Sequence, residues 1–237
     1  MNDVTDNYWI QADKKLKDSG YSSKQVQVVW VEQENTQNGD TSFPSAVNGL
    51  MADYQKLLVV INQKFPNVKI IYINQRAFAG YVDVTPGVIG KGLHFPRDYY
   101  NGWCVKWLIE KQINDENGYK FPSELPFIDW ATSFWADGKN KRSDGLSYDC
   151  KTDYGGDGLH LSELGERKAG EVLFNYFKSD TVSRYWLLKP SASAKIVELD
   201  MEKGLVIFPN PTQSVLNIQS SQASSLVICN IHGQYVF

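Results

Sequence analysis

Asp157 and His160, in the stretch GGDGLHLSELGERKAG (residues 155–170), are of types and at a spacing that could move a proton. A histidine base needs a carboxylate on its far ring nitrogen to fix the tautomer and to stabilise the imidazolium that forms. On a loop, a spacing of three lets one turn bring the two groups together, and a helix after the pair anchors the histidine. The same spacing also arises in acidic, glycine-rich turns that only expose a histidine, so the spacing leaves both readings open. Context favours chemistry. The chain has three histidines; His94 sits beside Phe95-Pro96 in a loop and His232 belongs to the C-terminal segment, and neither forms a comparable acid–base pair within an Asp-Gly turn. A pair of this kind commonly serves a serine nucleophile. Metal-assisted hydrolysis through Asp157 and His160 is a weaker alternative. The acids between Asp137 and Asp157 do not follow Ca²⁺-loop spacing, and Zn²⁺ would want more His or Cys, so no metal or cofactor is expected.

The elements that must position this pair read as α/β. Residues 7–18 have helical spacing, with Trp9, Ala12 and Leu16 on one side and Gly20 as the stop. QVQVVWVEQEN holds a short β-branched run, a buried strand from about Val26 to Val31. Val47, Leu50, Met51, Tyr54, Leu57, Leu58 and Ile61 then recur at helical spacing, and VKIIYIN (68–74) is a second buried strand. Strand, long helical crossover, strand is the order of a parallel βαβ unit. Residues 96–114 predict another amphipathic helix, PFIDW (126–130) a third strand, and 136–158 a loop dense in Asp, Gly, Asn and Ser. After His160, Ser162 is placed as an N-cap with Glu163 and Glu166 in the first helical turn.

Bulk properties narrow the class. With 42% hydrophobic residues and 13% aromatics over 237 positions, the chain can bury a sizeable core. A net charge of −3 with scattered Lys and Arg argues against nucleic acid or an anionic membrane as main partner, and no apolar run reaches the length of a membrane span. MNDVTDNYWIQ has neither the basic nor the apolar region of a signal peptide. Cys104, Cys150 and Cys229 form no CxxC pattern; separate buried thiols are expected, with a Cys104–Cys150 disulfide as the alternative.

GDGLHLSELGERKAGEVLFNYF resembles the last block of the SGNH/GDSL hydrolases, in which an Asp-x-x-His loop supplies acid and base and a helix closes the domain. Pieces spread over most of residues 7–180 (QVVW, FPN, AGY, VKWLIE, WADG, RSDGL) resemble a secreted bacterial subfamily of it. The resemblance implies a three-layer α/β/α sandwich with a parallel, flavodoxin-like sheet, and ester hydrolysis through a Ser-His-Asp triad, with a small-molecule or carbohydrate acyl ester as substrate. It assigns base and acid to His160 and Asp157. Asn35, at the end of VVWVEQEN, matches the asparagine that donates to the oxyanion, whereas Gln33 stands where the family has Gly. Substrate contacts are expected from Gln33, Arg76 and Trp135, with Phe78, Tyr81 and Trp103 as weaker candidates. The family's serine lies in a first block upstream of the residues matched here. The local serines Ser19, Ser22 and Ser23 belong to a helix-to-strand turn. The chain is therefore expected to be a fragment lacking its first strand and its nucleophile, and to be inactive alone. The rival expectation is a non-catalytic surface or carbohydrate-binding protein with the same fold.

From about residue 203 the texture changes to short alternating strands. IFPNPTQSVLNI, with Pro209-Asn210-Pro211, followed by VICNIHGQYV, resembles the type IX secretion sorting domain. That resemblance implies secretion machinery as a partner and a secreted or cell-surface location. The expected division is an α/β domain over 1–188, a linker over 189–202 and a partial β sorting domain over 203–237.

Overall fold

The computed structural model describes residues 3–83 and 92–188, and the backbone of Leu205–Phe208 and Asn217–Ser220. The expected linker, the Pro209-Asn210-Pro211 turn, Cys229 and His232 lie outside the described residues. The chain divides into two units, Met1–Asp180 and Thr181–Phe237.

The first unit is mixed α/β. Its order is α1 (Asn7–Asp18), β1 (Val28–Val31), α2 (Ser45–Lys64), β2 (Ile70–Gln75), α3 (Arg97–Ile113), β3 (Phe127–Ser133), α4 (Cys150–Asp153) and α5 (Glu163–Ser179). The strands form one parallel sheet in the order β1-β2-β3, with Val28 opposite Ile70 and Ile70 opposite Phe127. Every residue of β2 is buried, as befits a central parallel strand covered on both faces. Its alternation decides the packing. Ile71 and Ile73, with Ile128 of β3, join the main core of α1, α2 and α3. Ile70 and Tyr72, with Ala131 of β3, meet Leu173, Tyr176 and Phe177 of α5. All seven apolar residues picked out for α2 are buried, and each such side chain contributes roughly 1.5–3 kcal/mol.

Four local readings change. The first strand begins at Val28, not Val26, and as an edge strand it is only part-buried, with Val31 its one buried residue. The third strand runs to Ser133, beyond Trp130, because Gln75 pairs with Ser133 across a bulge. Within the expected loop 136–158, α4 forms where the Asp149 carboxylate caps the Lys151 N–H at 2.8 Å; polar composition masked a capped turn. Of the cysteines expected as buried thiols, Cys104 is buried and free, but Cys150 opens α4 and is exposed.

In the second unit, α6 (Arg184–Leu187) is followed by β4 (Leu205–Phe208) and β5 (Asn217–Ser220), which pair antiparallel with Leu205 opposite Ser220.

Candidate functional site

The loop between α4 and α5 is closed by its own backbone. Tyr154 and Leu161 form an antiparallel bridge, and the Gly155 N–H donates to the His160 carbonyl at 2.8 Å. Inside this turn the Asp157 carboxylate divides its oxygens. Oδ1 accepts the N–H groups of Leu159 and His160, each at 3.0 Å, and Oδ2 lies 2.5 Å from His160 Nδ1. The hydrogen bond with His160, then the Leu159 N–H, hold the Asp157 carboxyl down at about 2. An ionised carboxylate only accepts, so Nδ1 carries the proton and Nε2 is left as the basic nitrogen. The imidazole is 79% exposed, and among the described residues nothing hydrogen-bonds to Nε2.

Four features fix this turn to the domain. Gly158 has φ +67°, and a Cβ there would stand 2.1 Å from the Tyr81 carbonyl oxygen, so only glycine fits. A Cβ on Gly165 would stand 2.1 Å from the Asp153 carbonyl oxygen, which lets the first turn of α5 press on α4. Ser162 caps α5 by accepting the Gly165 N–H at 3.3 Å and donates its hydroxyl to the Thr152 carbonyl at 2.6 Å. The buried Asp153 carboxylate takes the Lys168 ammonium at 2.6 Å and the Asp149 N–H at 2.7 Å. Tyr81, a weaker candidate for substrate contact, supports the turn: its carbonyl meets Gly158 and its hydroxyl donates to the Tyr148 carbonyl at 2.9 Å.

His160 borders a cleft of about 580 Å³ at the carboxyl ends of all three strands. Glu32, Gln33 and Glu34 follow β1, Arg76 follows β2 and Phe134 follows β3; Glu166, Ala169 and Gly170 of α5 form one wall. Open parallel sheets bind ligands at this end, where loops diverge. Thus the structure brings His160, Gln33 and Arg76 to one cleft. Asn35 lines an adjoining cleft of about 420 Å³ that shares Gln33, Glu34 and Thr36 with the first. Its amide is tightly oriented. Nδ2 donates to Asp53 at 2.6 Å, while Oδ1 accepts the N–H groups of Gln37 at 3.0 Å and Asn38 at 3.1 Å. Trp135 stands apart from both clefts, with its indole N–H on Asp98 at 2.9 Å and its ring against Phe78 and Tyr99. Trp103 lies among Phe43, Trp107 and the main core.

The loop carrying Asn35 is held from a distance. Glu34 and Arg97 form a buried ion pair at 2.7 Å, their side chains 5% and 2% exposed, and Arg97 also donates to the Asp40 carbonyl at 2.8 Å. Burial pushes the Glu34 carboxyl up, against the pull of Arg97. The Gln33 N–H donates to the Tyr54 hydroxyl at 2.8 Å, and Asn101 Nδ2 donates to its carbonyl at 2.9 Å.

Glu32 was not among the sequence candidates. It lies in the cleft, and burial pushes its carboxyl up to about 7, with Arg76 and then Asn74 opposing. The signal was present: an acid placed directly after a buried parallel strand points to the ligand end of the sheet.

Among the described residues no three His, Cys, Asp or Glu side chains gather as a metal centre, and no helix is long and apolar enough to cross a membrane. No curated protein and no solved structure matches the chain. Residues 206–237 match the family described as the secretion system C-terminal sorting domain. This type IX sorting domain marks a partner of secretion machinery and indicates a secreted or cell-surface protein.

Proposed function

We propose that the first unit is an ester hydrolase domain of SGNH type, a three-layer α/β/α sandwich, working outside the cell on a carbohydrate or other acyl ester. The observation that carries this reading is the 2.5 Å contact between Asp157 and His160 Nδ1 at the edge of a cleft on the carboxyl side of the sheet. In the proposed reaction a serine hydroxyl attacks the ester carbonyl, and His160 Nε2 takes the hydroxyl proton. His160 then returns that proton to the leaving alcohol, and water repeats the cycle on the acyl-enzyme. Asp157 orients the ring and stabilises the imidazolium. Asn35 supplies a donor to the oxyanion: an amide nitrogen has two N–H groups, and its geometry commits one of them, to Asp53.

The serine is proposed to come from a strand that is not among these 237 residues. Among the described residues β1 pairs only with β2, so its other edge is open. A strand added there, parallel to β1, would end beside Glu32 and Gln33, where the cleft begins. The 237-residue chain assayed by itself with an activated acetyl ester is accordingly expected to give no acyl-enzyme burst. In the full encoded protein, His160→Gln is expected to lower the hydrolysis rate by about 10⁴-fold. Unchanged hydrolysis in that variant, or a stoichiometric acyl group on a serine of the 237-residue chain, would refute the reading.

A second reading, a non-catalytic carbohydrate-binding surface protein, is favoured by one feature. Phe43, 48% exposed, sits with Tyr100, Trp103 and Trp107 as a cluster of rings at 5.4–5.8 Å from it. Sugar binding that depends on Phe43, in a protein without His160-dependent hydrolysis, would select this second reading.

A further inference from the structure

We propose that Arg76 makes the cleft beside His160 an anion subsite, and that the ester taken there carries a carboxylate near its scissile bond, as in an acylated sugar acid. The inference rests on the hydrolase reading above and names its substrate class.

Arg76 emerges from the end of β2, its residue only 9% exposed, and lines the cleft shared with Gln33 and His160. Its Nη1 is buried and has no hydrogen-bond partner. Among the described residues no carboxylate lies within ion-pair distance of it; the neighbouring buried acid, Glu34, is committed to Arg97 at 2.7 Å. Buried guanidinium groups are ordinarily paired, because an uncompensated charge away from water is costly. Glu32 lines the same cleft and its carboxyl feels the Arg76 charge. Burial raises its carboxyl while the Arg76 charge opposes, but among the described residues the two form no ion pair, so the guanidinium's Nη1 stays without a partner. Ala77, Phe134 and Leu159 contribute apolar surface to the same cleft, which strengthens the interaction of charges next to it. A planar fork of donors in such a place suits a carboxylate, which it can hold through two parallel hydrogen bonds.

The test is calorimetric binding of methyl glucuronoside and its neutral counterpart, methyl glucoside, to the full encoded protein at low salt. The acid is expected to bind at least about ten-fold tighter, the size of one charge-assisted hydrogen bond. Arg76→Gln should erase that preference and Arg76→Lys should keep part of it. Glu32→Gln should increase it, by removing the competing carboxylate. Should Arg76→Gln fail to fold, Arg76→Lys and Glu32→Gln still decide the matter. Equal binding of acid and neutral sugar, or a preference indifferent to both Arg76 and Glu32, overturns the subsite. The two proposals fail separately. Arg76-dependent acid binding without His160-dependent hydrolysis keeps the subsite and sinks the hydrolase, whereas hydrolysis of neutral esters without an acid preference does the reverse.

Discussion

Two loops at the carboxyl end of the sheet each carry a residue that the sequence marks for catalysis, and they are built in opposite ways. The turn of residues 154–161 is made of near neighbours: Asp157 reaches His160 and Leu159, Gly155 reaches the His160 carbonyl, and Tyr154 pairs with Leu161. The loop after β1 is made of distant ones: Asn35 reaches Asp53, Glu34 reaches Arg97, and Gln33 reaches Tyr54 and Asn101. The first can form its acid–base geometry wherever its stem is held. The second has a shape only after α2 and α3 have packed. A residue placed by its own turn can be read from spacing, whereas one placed by remote partners cannot.

The contrast can be broken by substitution. The largest effect belongs to Asp157→Asn. In the full encoded protein it is expected to lower ester hydrolysis by about 10⁴-fold through the wrong tautomer, with only a small loss of thermal stability, because the Asn Oδ1 still accepts the Leu159 and His160 N–H groups and solvent screens the lost charge. Kinetics and a melting curve on one sample check both halves. Next comes Arg97→Met, which strands Glu34 in the interior and is expected to destabilise by about 3–5 kcal/mol in urea unfolding. If Arg97→Met is as mild in stability as Asp157→Asn, the two loops are not built differently after all. Gly158→Ala follows. Forcing a side chain into φ +67° against the Tyr81 carbonyl should cost about 2–3 kcal/mol and displace His160 with it.

The smallest effect is at Glu32, and it depends on pH. Its folded value, about 7, stands above the ordinary 4.5, so burial favours the protonated form. The stability this confers relative to an ionised carboxylate is fully present below pH 4.5 and is lost as pH rises through about 7. Glu32→Gln should therefore stabilise the protein by on the order of 1–2 kcal/mol at pH 8 and by far less at pH 4. Equal stabilisation at both pH values would show that burial does not hold the Glu32 carboxyl up.

Much of the fold was legible because the signals were periodic. The apolar spacing of α2 and the β-branched run of β2 each state their own burial, and Ser162 states where α5 begins, whereas the same kind of run in β1 overstates it, since Trp30 is exposed and only Val31 is buried. Less legible was anything decided by two segments meeting. Trp135 has the chemistry of a sugar platform, yet Asp98 of α3 takes its indole N–H. Tyr81 has the look of a ligand contact, yet Gly158 lies on its carbonyl. Glu32 was legible only in part: an acid after a parallel strand points to the ligand end of the sheet, but it becomes informative only once that end is seen to border a cleft.

The claim under all of this is that Asp157 holds the proton of His160 on Nδ1 and so presents Nε2 as a base. Long-range ¹⁵N–¹H NMR of the imidazoles, in a chain with only three histidines, reads that directly. The neutral His160 ring is predicted to be the Nδ1–H tautomer in the wild type and to lose that preference in Asp157→Asn. An Nε2–H ring, or an even mixture of tautomers indifferent to residue 157, would contradict the account.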